Sequence, residues 1–340
     1  VERRRFLAGL TGLTGAALLT GSQEAADAAT MTRRLEGVLT GGTLDARVAV
    51  TDLRKAVGAA RGAFDACRYD DLSAMLPRVA AMAQAAVPRA VGRERDQARA
   101  YLADAYMLTS ELAVKLNQDG MAWVAADRAH STATASGDPF AIAGSSRAVA
   151  IAMRRQGRHE GAVDVLTRAA LGLEADEGSP EPETLQIYAA LLCTAAYACA
   201  QNGRRAQALD LIGEAEQAAA RLPEHTLRGR LPTPANVAVY RIGIHTALGE
   251  PGVALDHARK VDAGLLPTPE RHARWCIDTA RAWEQFGRRD RAVAALLAAE
   301  RTVPQEVRRP SVSALISRMR YGTGPVPPEL HALARRNGLA

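Results

Sequence analysis

A short turn signature recurs through the chain and limits what it can fold into. "GRHEGAVDVL" from Gly157, "GRRAQALDLI" from Gly203, "GEPGVALDHA" from Gly249 and "GRRDRAVAAL" from Gly287 each place an alanine five residues after the glycine, followed by Val or Leu. Two further copies, "CRYDDLSAML" from Cys67 and "NQDGMAWVAA" from Asn117, replace the glycine and carry Leu72-Ser73 and Ala122-Trp123 at the small-plus-apolar position. A helix that ends on a residue able to turn tightly, followed by a helix whose alanine permits close approach, is a helix hairpin. Hairpins repeated at intervals of 38 to 50 residues bury their apolar faces by stacking, so the expected fold is all-α.

Composition agrees. Hydrophobic residues make up 48% of the 340 positions but aromatics only 4%, the Ala, Leu and Val bias of a helical protein with ample core. Of 43 basic residues only Lys55, Lys115 and Lys260 are lysine, and a net charge of +6 over this length supplies no nucleic-acid stripe. Cys67, Cys193, Cys199 and Cys276 form no C-x-x-C pair and have no histidines at zinc-ligand spacing, so buried free thiols are expected. Past the first twenty residues no apolar run approaches the roughly 18 residues that span a bilayer. "ADEGSPEPE" from Ala175, "RLPEHTLRGRLPTP" from Arg221 and "GLLPTPE" from Gly264 are the loops between hairpins, with prolines where helices stop or start.

These hairpins resemble the tetratricopeptide repeat, although they exceed that family's 34 residues and lack its first-helix Trp-Leu-Gly-Tyr signature. The resemblance implies a right-handed α-solenoid of antiparallel helix pairs: an apolar arginine-led segment over 1–44, about six repeats over 45–305, and capping helices over 306–340 at an open solenoid end. In the family's register the groove-facing residues lie 13, 10, 6, 3 and 2 before the turn residue. Counting back from Gly157 gives Gly144, Arg147, Ile151, Arg154 and Arg155, and from Gly287 gives Arg274, Ile277, Arg281, Glu284 and Gln285. From Asn117 the count gives Asp104, Met107, Glu111, Val114 and Lys115; from Gly203 it gives Ala190, Cys193, Tyr197, Ala200 and Gln201. Asn236 and Tyr240, at i and i+4 before Gly249, add neutral hydrogen bonding and a stacking face. Guanidinium groups set closely in a concave surface favour a carboxylate or phosphate, so the expected ligand is a peptide or small anion. The competing reading makes Arg147, Arg154 and Arg155 a solvated helix face.

Arg241 and His245 break the pattern. They occupy core-facing register positions before Gly249, where the copy before Gly203 has Ala195 and Cys199. Either they find partners on a packed face, or a local register shift turns them outward; both are carried as candidate groove residues.

No catalytic arrangement emerges. There is no phosphate-binding G-x-x-x-x-G-K-[ST], no G-x-S-x-G elbow and no H-E-x-x-H, and the seven histidines are scattered singly. "GLTGLTG" near the start follows no strand and makes no phosphate cradle. No enzyme activity, cofactor or metal site is expected.

The stretches "CRYDDLSAMLP", "KLNQDGMAWVAADRA", "ASGDPF", "TPANVAVYRIGI", "ALGEPGVALDHARKVD", "LPTPERHAR" and "AAERTVPQEVR" together resemble the effector region of actinobacterial Xre-family helix-turn-helix transcriptional regulators, from about Thr51 to Arg320. In that family a DNA-binding domain of roughly seventy residues precedes the repeats, joined by an "RRRFL"-like segment. The opening "VERRRFLAGLTG" then reads as that joint, with DNA reached only through a helix-turn-helix domain absent from these residues. The alternative is a twin-arginine export signal, with Arg3, Arg4, Arg5, Phe6 and Leu7 ahead of an apolar run and Ala26-Asp27-Ala28 as cleavage site. The first reading implies a cytoplasmic, ligand-sensing repeat domain of a transcriptional regulator, with a homodimer as an option. The second implies a protein-interaction scaffold, exported and without a role in transcription.

Overall fold

The computed structural model describes residues 15–42, 44, 47–173, 181–222, 232–322 and 325–339, and all regular secondary structure among them is helical. The arginine-led opening lies outside the described residues. Six hairpins follow one another: α2 (Val50–Asp65) with α3 (Tyr69–Ala86), α4 (Gly92–Lys115) with α5 (Asp119–Ser136), and α6 (Pro139–Arg155) with α7 (His159–Leu171). Then come α8 (Pro182–Gln201) with α9 (Arg205–Ala220), α10 (Pro234–Ala247) with α11 (Pro251–Lys260), and α12 (Pro269–Gln285) with α13 (Arg289–Thr302). Ahead of them α1 (Gly15–Thr40) buries Leu35 and Val38 in the core of the first hairpins. After them α14 (Pro304–Val307), α15 (Pro310–Tyr321) and α16 (Pro328–Arg336) complete the chain, α15 and α16 sharing a core with α12 and α13 through Val312, Leu315 and Leu330.

Every turn read from sequence is the same device. Cys67, Asn117, Gly157, Gly203, Gly249 and Gly287 all have φ between 56° and 82°, the left-handed region. In each copy the next residue's N–H donates to the carbonyl five positions back, as from Arg158 to Met153 at 3.0 Å and from Arg204 to Cys199 at 2.9 Å. This bond closes a Schellman motif and satisfies carbonyls that the helix end would leave bare. The residue five positions past the turn, Leu72, Ala122, Ala162, Ala208, Ala254 or Ala292, is buried in every copy. In five of the six copies it is alanine, whose methyl group lets the two helices meet closely. Pro182, Pro234 and Pro269 stand in the first turns of their helices, where the missing N–H costs no bond.

The pairs stack so that α2, α4, α6, α8, α10 and α12 touch in succession and form an inner layer, with the second helices outside. The stack does not end open, as the repeat register alone implied. It curls until α12 meets α2, and Ala273 and Val303 join the core built by the first hairpins. The inner layer therefore surrounds a cavity.

Candidate functional site

The cavity holds about 730 Å³ and its wall draws residues from all six inner helices and from the start of α15. Register places its residues best on α4 and α6: Asp104, Met107, Glu111, Val114 and Lys115 all reach the wall, as do Gly144, Arg147, Ile151, Arg154 and Arg155. On α8, Tyr197 and Gln201 line it, while Cys193 and Ala200 are buried between helices. On α12, Arg274 and Arg281 line it, while Ile277 lies in the core and Glu284 turns away to pair with Arg318. Asn236 and Tyr240 on α10 are on the wall as expected.

Arg241 and His245 are not. The cavity stripe of α10 is Asn236, Val239, Tyr240 and Gly243, and residues one and two positions past Tyr240 and Gly243 project toward α9 and α11 instead. There the guanidinium of Arg241 binds both carboxylate oxygens of Glu216, with Nη2 to Oε2 at 2.6 Å. His245 is buried, its Nδ1 2.7 Å from Glu250 Oε2 and its ring stacked on His257 at 5.0 Å. Both polar side chains on the packed face have found the partners that burial requires.

Within the cavity almost every cation is answered by an anion. Arg61 donates to Glu111 at 2.5 Å, and Arg155 binds Asp119 and Asn117. Arg274 and Arg281 share Asp278, at 2.5 and 2.8 Å; burial would push that carboxyl up, but the two arginines outweigh it and hold it below the usual range. Arg147 reaches across the cavity to Thr194 and Tyr240, at 3.0 and 3.2 Å. Against the opposing effect of burial, Arg147 and Arg271 pull the Tyr240 phenol below its ordinary value. These pairings correct the expectation of a set of arginines waiting for an anion: Arg155, Arg274 and Arg281 already have carboxylates. Arg154 has none. Its Nη1 donates to Gln201 Oε1 at 2.7 Å, its guanidinium lies 4.8 Å from the centre of the Tyr197 ring, and its covered Nε has no acceptor.

The seam between α12 and the first hairpins is a second ionic centre, one that register did not reveal. Lys115 Nζ lies 2.5 Å from Glu270 Oε1 and 2.8 Å from Glu306 Oε1, with all three side chains buried. Arg309 donates to Glu306 at 2.6 Å, the Tyr69 hydroxyl donates to the same carboxylate, and Arg271 binds Glu270. Burial alone would raise the Glu270 carboxyl; Arg271 and Lys115 prevail and hold it well below the ordinary carboxylate range. A sequence cue existed, since "KLNQDG" contributes Lys115, "LPTPERHAR" Glu270 and Arg271, and "VPQEVR" Glu306, but nothing local says that they meet.

The four cysteines are free and buried; burial pushes the thiols of Cys67 and Cys193 up to about 12, leaving them unreactive. Among the described residues no group of three or more His, Cys, Asp or Glu is placed to hold a metal ion, and no helix is long and apolar enough to cross a membrane.

This geometry defines a class: an α-helical repeat protein whose stacked hairpins present their first helices to a shared groove. No protein-family model matches the chain, and no curated protein does. Solved structures similar to it include two helical proteins. The apo form of RapI shares 13% identity over 74% of this chain and 85% of its own, with a TM-score of 0.49. BtubC (BKLC) from P. vanneervenii shares 18% identity over 74% of this chain and 94% of its own, with a TM-score of 0.40.

Proposed function

We propose that the chain is the ligand-sensing repeat domain of a transcriptional regulator acting in the cytoplasm, without enzymatic activity. A peptide or small molecule enters the cavity, and occupancy is passed to DNA binding or to self-association of two copies. DNA would be reached through a helix-turn-helix domain of the kind that the resembling regulators carry ahead of their repeats. The observation that supports sensing is the cavity itself. It is lined by one helix from each of six hairpins, so a bound molecule bears on several repeats at once and alters how they sit together. A scaffold that docks folded partners would present an open face instead.

The test needs no knowledge of the ligand. Ala190→Trp fills the wall of α8 with an indole, and an allele carrying it is compared with the unaltered gene by transcript profiling in the native host. A regulator gives a coherent set of changed transcripts with normal protein abundance. A scaffold leaves transcripts unchanged, and that result would overturn the reading.

A further inference from the structure

Among the described residues two side chains of opposite charge on the cavity wall, Arg154 and Asp104, make no ion pair. Of the eight wall arginines, Arg154 alone has no carboxylate of a described residue within 4 Å. The charged side chains that act on it are the like-charged Arg274 and Arg155, each already paired with its own carboxylate. Asp104 on α4 accepts no hydrogen bond and makes no ion pair with any described residue; burial pushes its carboxyl up to about 6. Asp65 also lacks a contact partner, but it faces as many cations, Arg61 and Arg271, as anions, Glu111 and Glu270. Asp104 faces Arg61 against both Asp138 and Glu111.

Their separation can be read from the register of α4 against α6. Met107 packs on Gly144, Glu111 lies 3.8 Å from Arg147, and Asn117 accepts from Arg155 at 2.6 Å, so the two helices run side by side in step. Asp104 is therefore level with Phe140, at the opposite end of α6 from Arg154. At 1.5 Å per residue the two are about 20 Å apart along the helix. An extended chain rises about 3.3 Å per residue, so about six residues span that distance. Between the two charges the wall offers Gln186, Asn236, Thr194 and Tyr240 to a peptide backbone, and Ala148, Ile151 and Ala190 to its side chains.

We propose that the cavity takes an extended peptide of about six residues lying along α6, its C-terminal carboxylate on Arg154 and its N-terminal ammonium on Asp104. This rests on the ligand-sensing reading above and assigns its ligand. Arg154 supplies free N–H donors and the Tyr197 face; a carboxylate there relieves a guanidinium now surrounded by its own kind. An ammonium at the other end gives Asp104 the partner it lacks. Charge-assisted contacts of this type contribute about 1.5–3 kcal/mol, or about ten- to a hundredfold in affinity each.

The probe is a random hexapeptide mixture prepared four ways: both ends free, N-acetylated, C-amidated, and both blocked. Retention by the full chain is measured by native mass spectrometry. The free-ended mixture is expected to be retained, with at least tenfold loss on blocking either end. Arg154→Gln should abolish discrimination at the C-terminus only, Asp104→Asn at the N-terminus only, and Arg154→Lys should restore part of the first. Circular dichroism establishes that each variant is folded, and the lysine variant keeps the test sharp if the glutamine one is not. Retention indifferent to blocking, or no retention of any mixture, overturns the proposal. If Ala190→Trp shifts transcripts while hexapeptides fail, sensing stands and the peptide falls. If peptides bind as described and transcripts stay silent, the peptide stands and the transcriptional reading falls.

Discussion

The inside of a hairpin and the seam between the two ends of the stack are held by different chemistry. Inside a hairpin the contacts are alanine and isoleucine: Ala195, Ala196, Ala208 and Ile212 fill the space between α8 and α9 without a charge among them. At the seam, where α12 and α14 meet the first hairpins, Lys115, Glu270, Glu306 and Arg309 meet in a buried ionic cluster beside Tyr69. Apolar contacts are non-directional and lose energy in proportion to area. Buried ions are a set, since each member is tolerable only while its partners remain. A stack built on the first and closed by the second can open at its seam while its hairpins stay folded.

The seam is where a single change should cost most. In Lys115→Met two carboxylates face each other in a buried site without their shared cation, a situation that costs about 3–5 kcal/mol when one partner of a buried pair is removed. The expected relief is opening: a larger radius of gyration in solution scattering with helicity unchanged. An unaltered radius together with an unaltered unfolding midpoint would show that the cluster holds nothing shut.

Ile212→Ala makes the opposite test at an apolar interface. It should cost about 2–5 kcal/mol in urea unfolding through the cavity it leaves in the core of α8 and α9. The radius of the folded protein should stay as it was. Should it expand as in the seam variant, the distinction between the two kinds of joint would fail.

Titration separates them further. Glu270 and Glu306 are held below the usual carboxylate range, so the stability they contribute is present above the unfolded value near pH 4.3 and lost as pH falls through their lower folded values. Acid should therefore open the seam before it melts the hairpins. Asp104 has the reverse sign. Its folded carboxyl is pushed up to about 6, so the folded state binds the extra proton between that value and the unfolded one near 3.9, and stability rises as pH falls across this window. Asp104→Asn should be more stable than the unaltered chain at pH 8, by at most about 3 kcal/mol, with the gap closing toward pH 4. A gap that is constant from pH 8 to pH 4 would place Asp104 in an ordinary solvated setting.

The same contrast decides what sequence could reveal. Turn residues are legible because the left-handed region admits few residue types, and the alanine five positions on is legible because helix approach demands a small side chain. The wall of α4 and α6 follows from counting back from those turns. Arg241 and His245 were harder, because register marked them as packed and only the structure supplies Glu216 and Glu250 as the partners that keep them there. The seam lay beyond reach of any local rule. Lys115 and Glu306 are 191 residues apart and Tyr69 and Glu306 are 237 apart, and whether they meet depends on small rotations summed over six hairpins.

The smallest effect isolates the turn itself. Gly203 has φ +71°, and a Cβ added to it would meet nothing within 4 Å, so Gly203→Ala tests the backbone alone. An L-residue in the left-handed region costs about 1–2 kcal/mol, partly offset by the lower chain entropy of alanine in the unfolded state. The net loss should be about 1 kcal/mol, without a change in radius or seam closure. Asn117 offers the reciprocal change. It holds φ +59° with a side chain that asparagine tolerates there, and its carbonyl oxygen accepts from Arg155 at 2.6 Å. Asn117→Gly relieves the backbone but removes that bond, so the two contributions, each about 1 kcal/mol, nearly cancel. Unfolding of both variants by urea, read against the unaltered chain, gives the comparison. A Gly203→Ala protein as stable as its parent would mean that the turn can adopt another conformation at no cost, and the six-fold recurrence of left-handed residues would then need a reason other than backbone geometry.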